Sequence, residues 1–103
     1  MVIIFSNEKA RNQLLNKGIV FTIRHIRHIE GKDWMTDKRG GKKICNVRII
    51  FCASGTYRDL RNIAHNYVND TGFESIEEWI NIIMGFGKVK HYTFWLYRVD
   101  KVI

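Results

Sequence analysis

The fold is decided by the stretch 18-GIVFTIRHIRHIEGKDW-34, in which a glycine is followed at once by apolar and β-branched residues. Residues 19–26 alternate with the period of two that is typical of a β-strand. One face of this predicted strand carries a hydroxyl, Thr22, and a guanidinium, Arg24, beside apolar neighbours. Because an unpaired charge is costly to bury, Arg24 needs an anion or a carboxylate on this face.

Upstream of this strand, the sequence predicts a short strand and a helix. The apolar run 2–5 is followed by Ser6, a residue type favoured at the N-cap, and then by an amphipathic segment over 7–17. Gly18 is predicted to end that helix, because glycine adopts the left-handed conformation that commonly terminates helices. The first 26 residues therefore read as strand, helix and strand.

Downstream, the charged stretch 28–41 is predicted to be an exposed connection, and its length makes it a candidate functional loop. The next strand is predicted over 42–53 and carries both cysteines of the chain. Cys45 and Cys52 are an odd number of residues apart, so their side chains should point to opposite faces of that strand. We therefore expect two free thiols and no disulfide between them.

The second half of the chain predicts two helices and a final strand. Ser75 and Glu78 have the spacing of a capping box, which marks the start of the second helix. The last strand, over 89–102, is apolar or aromatic on both faces around 92–99, which indicates a place inside a sheet or barrel. The predicted buried stripes are Leu60, Ile63, Ala64 and Tyr67 in a helix over 57–68, and Ile76, Trp79, Ile80 and Ile83 in the next.

The composition is typical of one globular domain covering residues 1–103, and the order of strands and helices predicts an α+β fold. Hydrophobic residues make up 46% of the chain and charged residues 26%. The sequence shows no signal peptide and no apolar run long enough to cross a membrane, so a cytoplasmic location without membrane partners is expected. His25 and His28 lie three apart at a strand end and should face opposite ways, as isolated surface histidines. Neither a metal site nor a cofactor is expected.

Positive charge is concentrated in one segment of the chain. The 17 Lys and Arg against 10 Asp and Glu give a formal net charge of +7. Residues 24–43 contribute +4 of this, from seven basic and three acidic side chains. Such a segment attracts polyanions, and the alternative is a solvated loop whose charges keep it out of the core. The basic residues are Arg24, Arg27, Lys32, Lys38, Arg39, Lys42 and Lys43.

Two motifs resemble those of the ASCH domain, a family of the PUA-like superfamily. The segment 16-NKGIVFTIR-24 is similar to the family's helix end, small-residue turn and Lys-Thr-x-Thr-x-Arg strand. The segment 72-GFESIEEW-79 resembles the start of its late helix, and 92-YTFWLYRV-99 resembles its aromatic last strand. The resemblance covers nearly the whole chain in order. It implies a small PUA-like β-barrel with helices packed around it and a cleft that binds RNA or a nucleotide.

The resemblance also implies an alternative activity. Some small members of the family act as amidohydrolases on acylated cytidine nucleosides through a lysine, a threonine and a glutamate. By position, the threonine is Thr22 and the glutamate is Glu78, with Glu77 as a second candidate. The lysine position holds Ile19, which cannot act as a base, so Lys17 would have to swing into the cleft.

These observations predict a module that binds RNA, single-stranded nucleic acid or a nucleotide, with no cofactor. Trp34 is a candidate base-stacking platform, and the basic side chains are candidate phosphate contacts. A hydrolase using Thr22, Glu78 and Lys17 stays open, as does a protein-interaction module. Thr22 as a strand former and Glu78 as a cap, or as the carboxylate partner of Arg24, are the structural alternatives. The predicted nucleic-acid-binding residues are Arg24, Arg27, Trp34, Lys38, Arg39, Lys42 and Lys43.

Overall fold

The structure, a computed structural model, describes residues 2–85 and 93–102. Within them the chain is a small α+β protein with a curled five-stranded mixed sheet, close to a half-barrel, and three helices. Short 3-10 turns precede and follow the second helix. The elements are β1 Val2–Ile4, α1 Glu8–Lys17, β2 Ile19–Arg24, β3 Gly31–Thr36, β4 Cys45–Thr56, α2 Leu60–Ala64, α3 Ile76–Gly85 and β5 Thr93–Val102.

The strand order in the sheet is β1-β3-β4-β5-β2. β1 runs parallel to β3, and the other neighbouring pairs are antiparallel. β5 therefore lies between β4 and β2, which confirms the predicted interior position of the last strand. In the part of the chain that is described, β1 and β2 are the two edges of the sheet. The predicted start of the last strand, 89–92, and His91 with it, lie outside the described residues.

The first helix is held at both ends by the local contacts that its sequence favours. The Asn7 side chain accepts a hydrogen bond from the Ala10 backbone at 3.2 Å. At the other end Gly18 has φ 80°, and its backbone N–H donates to the Leu14 oxygen at 2.9 Å. The predicted role of Gly18 is confirmed. The predicted N-cap, Ser6, is wrong by one residue, because it is the Asn7 side chain that reaches the first turn.

The third strand is absent from the sequence prediction. Residues 31–36 fall within the stretch predicted as an exposed connection, yet they form β3 and pair with β1 on one side and β4 on the other. Its charged residue Lys32 is exposed whereas Met35 and Thr36 are buried, so one end of the strand is polar and the other belongs to the core. The pairing of β3 with β1 and β4 is mostly long-range in sequence, so the local sequence does not predict it.

The fourth strand begins later than predicted, at Cys45, and contains a β-bulge. Phe51 is paired with Tyr97 and Ala53 with Leu96, which leaves Cys52 as the extra residue. Bulges of this kind bend a strand and increase its twist, in keeping with a curled sheet. Cys45 and Cys52 are both free, as predicted.

The helices cover the sheet and complete a single hydrophobic core. The predicted helix over 57–68 is in fact a short α2 flanked by 3-10 turns, so the helical periodicity overestimated its length. Ser75 caps α3 as predicted, since its hydroxyl accepts from the Glu78 backbone at 3.1 Å.

Within residues 2–85 and 93–102, no helix has the length and apolar character needed to span a bilayer. The most deeply buried large apolar side chains include Ile3, Leu14, Val20, Met35, Val47, Ile49, Leu96, Tyr97 and Val99.

Candidate functional site

A cavity of about 380 Å³ lies at the seam between the two edges of the curled sheet. One wall is residues 4–7, which end β1 and lead into α1, and the opposite wall is residues 21–26 of β2 and its continuation. Phe73 and the α3 side chain of Trp79 close a third side. The lining is mostly apolar and aromatic. We call this space the seam cavity.

Arg24 spans the seam from β2 to β1. Its Nη1 donates a hydrogen bond to the backbone oxygen of Ile4 at 2.7 Å. Its Nε donates to the Thr22 hydroxyl at 3.0 Å, and its guanidinium carbon lies 4.6 Å from the centre of the Phe5 ring. The alternation predicted for β2 thus brings Thr22 and Arg24 into one site, as expected for residues two apart on a strand.

The Arg24 guanidinium has no carboxylate partner among the described residues. Its hydrogen bonds go to a hydroxyl and a carbonyl, and burial lowers the pKa of Arg24 to about 10. Glu78, the carboxylate proposed for it from sequence, instead lies 2.8 Å from the Nζ of Lys9. A partly buried cation that lacks a counterion is a site of positive potential, and attraction to an anion there is stronger than in bulk water.

His25 and His28 line the seam cavity together, so the expectation of isolated surface histidines is wrong. The chain leaves β2 after Arg24, and the alternation that would separate positions three apart ends with it. The Nδ1 atoms of both rings are buried and have no hydrogen-bond partner among residues 2–85 and 93–102. Nε2 of His25 lies 3.5 Å from the backbone oxygen of Ile83 on α3.

The surroundings of His28 disfavour its charged form. Burial lowers the pKa of His28, and the nearby charge of Arg24 lowers it further, whereas Asp33 raises it. The backbone of His28 is fixed on β5, because its N–H donates to the Tyr97 hydroxyl at 2.7 Å and its carbonyl accepts from that hydroxyl at 3.1 Å. In the part of the chain that is described, no three His, Cys, Asp or Glu side chains form a metal-binding group.

The predicted phosphate contacts other than Arg24 are exposed and lie outside the cavity wall. Arg27 stands between two residues that line it. The others lie between β3 and β4, in a basic loop that we define as residues 37–44. This loop leaves the sheet next to the cavity, since the Thr36 oxygen accepts from the backbone of Phe5 at 2.9 Å. Its exposed cations are Lys38, Arg39, Lys42 and Lys43.

Trp34 belongs to β3, so its predicted place in a polar loop is wrong. It is partly buried, and its backbone is in register with Val2 of β1 and Asn46 of β4. It does not line the seam cavity. The aromatic side chains that do line it were not predicted as site residues. Among them, Trp79 was assigned to a buried helical stripe and Phe5 to a short apolar strand.

The three residues of the predicted hydrolase do not meet in the seam cavity. Thr22 lines it, whereas Glu78 accepts from Lys9 and from the Glu74 backbone, and the bond to Lys9 lowers the pKa of Glu78. Lys17 is exposed at the last turn of α1, and it is the first turn of that helix that faces the cavity. With a rise of about 1.5 Å per residue, the two ends are roughly 13 Å apart.

No protein-family model matches the chain, and neither curated proteins nor solved structures give a match. The functional argument therefore depends on the geometry of the seam cavity and of the basic loop. The resemblance to the ASCH domain depends on the motifs of the sequence and stays a prediction.

Proposed function

We propose that this protein is an RNA- or nucleotide-binding domain with a PUA-like, ASCH-type fold, and that one nucleotide occupies the seam cavity. The observation that carries the proposal is the guanidinium of Arg24, a cation on the wall of a mostly apolar cavity with no carboxylate among the described residues. An anionic ligand supplies the missing charge, and Nη2 of the Arg24 guanidinium is available to donate a charge-assisted hydrogen bond to a phosphate.

The dimensions and lining of the seam cavity support a ligand that combines an aromatic ring with an anion. Its volume of about 380 Å³ is at the small end of the range found for ligand sites. Phe5, Phe21, Phe73 and Trp79 give it aromatic walls. A nucleobase gains stacking energy on such walls, whereas its phosphate gains from Arg24.

The basic loop supports contacts to further phosphates when the nucleotide is part of a single strand. The loop leaves the sheet beside Phe5, a residue of the cavity wall, and its Lys and Arg side chains are exposed. Exposed cations of this kind neutralise phosphates and release counterions, so binding weakens as salt is added. The half-barrel sheet, with residues 21–24 of the segment 16–24 in the cavity wall, supports the ASCH-type assignment.

One observation favours a protein-interaction module as a second candidate. Ile26 and Ile29 are 74% and 73% exposed, and Ile26 lies at the mouth of the seam cavity. Two large, exposed apolar side chains in the short connection between β2 and β3 are a candidate contact surface for a protein partner. The hydrolase alternative has less support, because Thr22 alone of its predicted residues is in the cavity.

The test is a binding titration with labelled single-stranded RNA, single-stranded DNA and duplex DNA at several salt concentrations. We expect RNA binding to weaken with a log–log slope of about −0.7 per neutralised phosphate, and roughly three to five such contacts. The Arg24→Lys variant should bind more weakly than the wild type, since lysine lacks the planar fork. Arg48→Gln is the matched control, because Arg48 is exposed on β4 and does not line the cavity.

Two results would contradict the proposal. The first is the absence of binding to all three nucleic acids and to mononucleotides at low salt. The second is binding that Arg24→Lys and Arg48→Gln affect equally, since the seam cavity would then play no part in it. Circular dichroism of each variant shows whether its fold is retained.

A further inference from the structure

Three nitrogen atoms of the seam cavity have no hydrogen-bond partner among the described residues. They are Nη2 of Arg24, whose other two nitrogens are bonded, and Nδ1 of both His25 and His28. The two ring nitrogens are also buried. Buried polar atoms without partners are rare in folded proteins, and each costs free energy until something bonds to it. All three belong to residues that line one cavity, so a single ligand can bond to them together.

The contact between His25 and α3 limits how the ring can bond to a ligand. Its Nε2 lies 3.5 Å from the carbonyl oxygen of Ile83, and because a carbonyl only accepts, the ring hydrogen belongs on Nε2. Nδ1 of the neutral ring then has no hydrogen to donate. It can donate to an anion only after the ring takes up a proton. A strongly anionic ligand favours that uptake, since it stabilises the imidazolium.

The bond between Arg24 and Ile4 determines which part of a nucleic acid can enter. It crosses the seam at 2.7 Å, so a polynucleotide cannot pass between β1 and β2 without breaking it. The end of a strand, or a free nucleotide, can place a phosphate against Arg24 from within the cavity without passing through the seam. A terminal phosphate carries a charge of about −1.5 to −2 and three free oxygens, whereas an internal phosphodiester carries one charge and two such oxygens.

We propose that the seam cavity binds the terminal phosphate monoester of a nucleotide, with Arg24, His25 and His28 around it, and that binding takes up a proton. The inference rests on the proposed function and names its ligand class. The charged and titratable groups that bear on the histidines are Arg24 on β2, Asp33 on β3 and Tyr97 on β5, and α3 contributes the Ile83 carbonyl. Arg24 opposes protonation of His28, and a dianion bound between them offsets that opposition.

The experiment is isothermal titration calorimetry of the full chain with nucleoside 5′- and 3′-monophosphates, the matching nucleosides and their methyl phosphodiesters. It is done near pH 7.5, above the second phosphate pKa of about 6, in two buffers of different ionisation enthalpy, which reveals protons taken up. We expect a monophosphate to bind about tenfold or more tightly than the nucleoside and the diester. We also expect net proton uptake that falls in His25→Gln and His28→Gln and is unchanged in Arg48→Gln.

The outcomes separate this inference from the proposed function. If the diester or the nucleoside binds as tightly as the monophosphate, nucleotide binding stands and the terminal-phosphate inference is wrong. If RNA binds and no monophosphate does, the inference is again wrong. If the monophosphate binds without proton uptake, the proposed role of His25 and His28 in the inference is wrong. If neither mononucleotides nor RNA bind, the proposed function fails and the inference fails with it. Retained folding of the two histidine variants is checked by their unfolding transitions.

Discussion

The guanidinium of Arg24 on β2 donates to the backbone oxygen of Ile4 on β1 at 2.7 Å, although the two strands are opposite edges of the sheet. A side chain thus joins edges that, among the described residues, no backbone ladder joins. The same guanidinium is the cation of the seam cavity. Arg24 therefore both holds the two edges of the half-barrel together and lies in the candidate ligand site.

Replacing Arg24 with alanine should lower the stability of the free protein as well as its affinity for ligand. The change removes hydrogen bonds to Thr22 and Ile4 and leaves the Ile4 oxygen without its partner. Hydrogen bonds of charged groups contribute about 1.5–3 kcal/mol, so we expect a loss of that order in the free energy of unfolding. Denaturant unfolding measures it. Arg48→Ala, on an exposed position, should stay within about 0.5 kcal/mol of the wild type.

An Arg24→Ala protein as stable as the wild type would contradict the bridging role of this side chain. Unfolding should be monitored by circular dichroism as well as by fluorescence. A loss of cooperativity seen by only one of the two would indicate that β1 or β2 separates before the rest of the sheet.

Gly72 should be much less tolerant of alanine than Gly18. Both have positive φ, 88° and 80°, where an L-residue costs about 1–2 kcal/mol. A Cβ on Gly72 would press against the backbone oxygen of Lys9, whereas a Cβ on Gly18 would meet nothing within 4 Å. We expect Gly72→Ala to cost about 2–5 kcal/mol in unfolding free energy and Gly18→Ala about 1–2.

Each glycine is the control for the other. Both substitutions introduce the same backbone strain, but only the one at Gly72 also introduces a clash with Lys9. Equal losses would show that Gly72 is not packed against α1 as described. The contact matters for the site, since Gly72 precedes Phe73 on the cavity wall.

The fold was predictable where local chemistry dictates it. Gly18 ends α1 because the helix needs a left-handed residue there, and Ser75 starts α3 with its hydroxyl. β5 was placed inside the sheet because both of its faces are apolar. By contrast, β3 at Gly31–Thr36 has charged residues near its start, and it is a strand because β1 and β4 pair with it. Such pairing depends on segments that are distant in sequence.

The site was predictable only along one strand. The period of β2 placed Thr22 and Arg24 on one face, and both line the seam cavity. The other walls come from the end of β1 and from α3, and no spacing in the sequence relates these to β2. The HxxH pattern of His25 and His28 was the signal for the remaining polar groups, and it was set aside because a regular strand would have separated them.

The stability of the free protein should fall because of His28 in the pH window that extends down from about 6.5 to its folded-state pKa. Its folded-state pKa lies below the usual value of about 6.5, so the unfolded chain binds more protons in this window. The stability that depends on a neutral His28 is present above about pH 6.5 and is lost as the pH falls through its folded-state pKa. Urea unfolding at several pH values measures the slope. His28→Gln should flatten it.

The wild type should show no hydrolysis of N4-acetylcytidine above background. Thr22 accepts a hydrogen bond from a cationic Arg24, and a guanidinium cannot act as its base. Glu78 is paired with Lys9, and the family lysine position holds Ile19. General-base activation contributes about a hundredfold to ten-thousandfold in rate, so its absence should be evident in an assay by chromatography.

Turnover that is lost in both Thr22→Ala and Glu78→Gln, with the fold retained, would overturn this expectation. It would also show that a lysine, Lys17 first among the candidates, reaches Thr22 when substrate is bound. The binding proposal would then describe only the first step of an enzyme.

The most direct test of the account is a nuclear magnetic resonance titration of the ¹⁵N-labelled protein with each of the four ribonucleoside 5′-monophosphates. The resonance of Arg24 Nε–H reports on the guanidinium itself, and the backbone amides of 4–7 and 22–28 report on the cavity walls. The account predicts that at least one nucleotide shifts the Arg24 Nε resonance together with these amides, and that the same nucleotide concentration shifts the amides less in Arg24→Lys. Shifts confined to the basic loop, with Arg24 Nε unchanged by all four nucleotides, would contradict it.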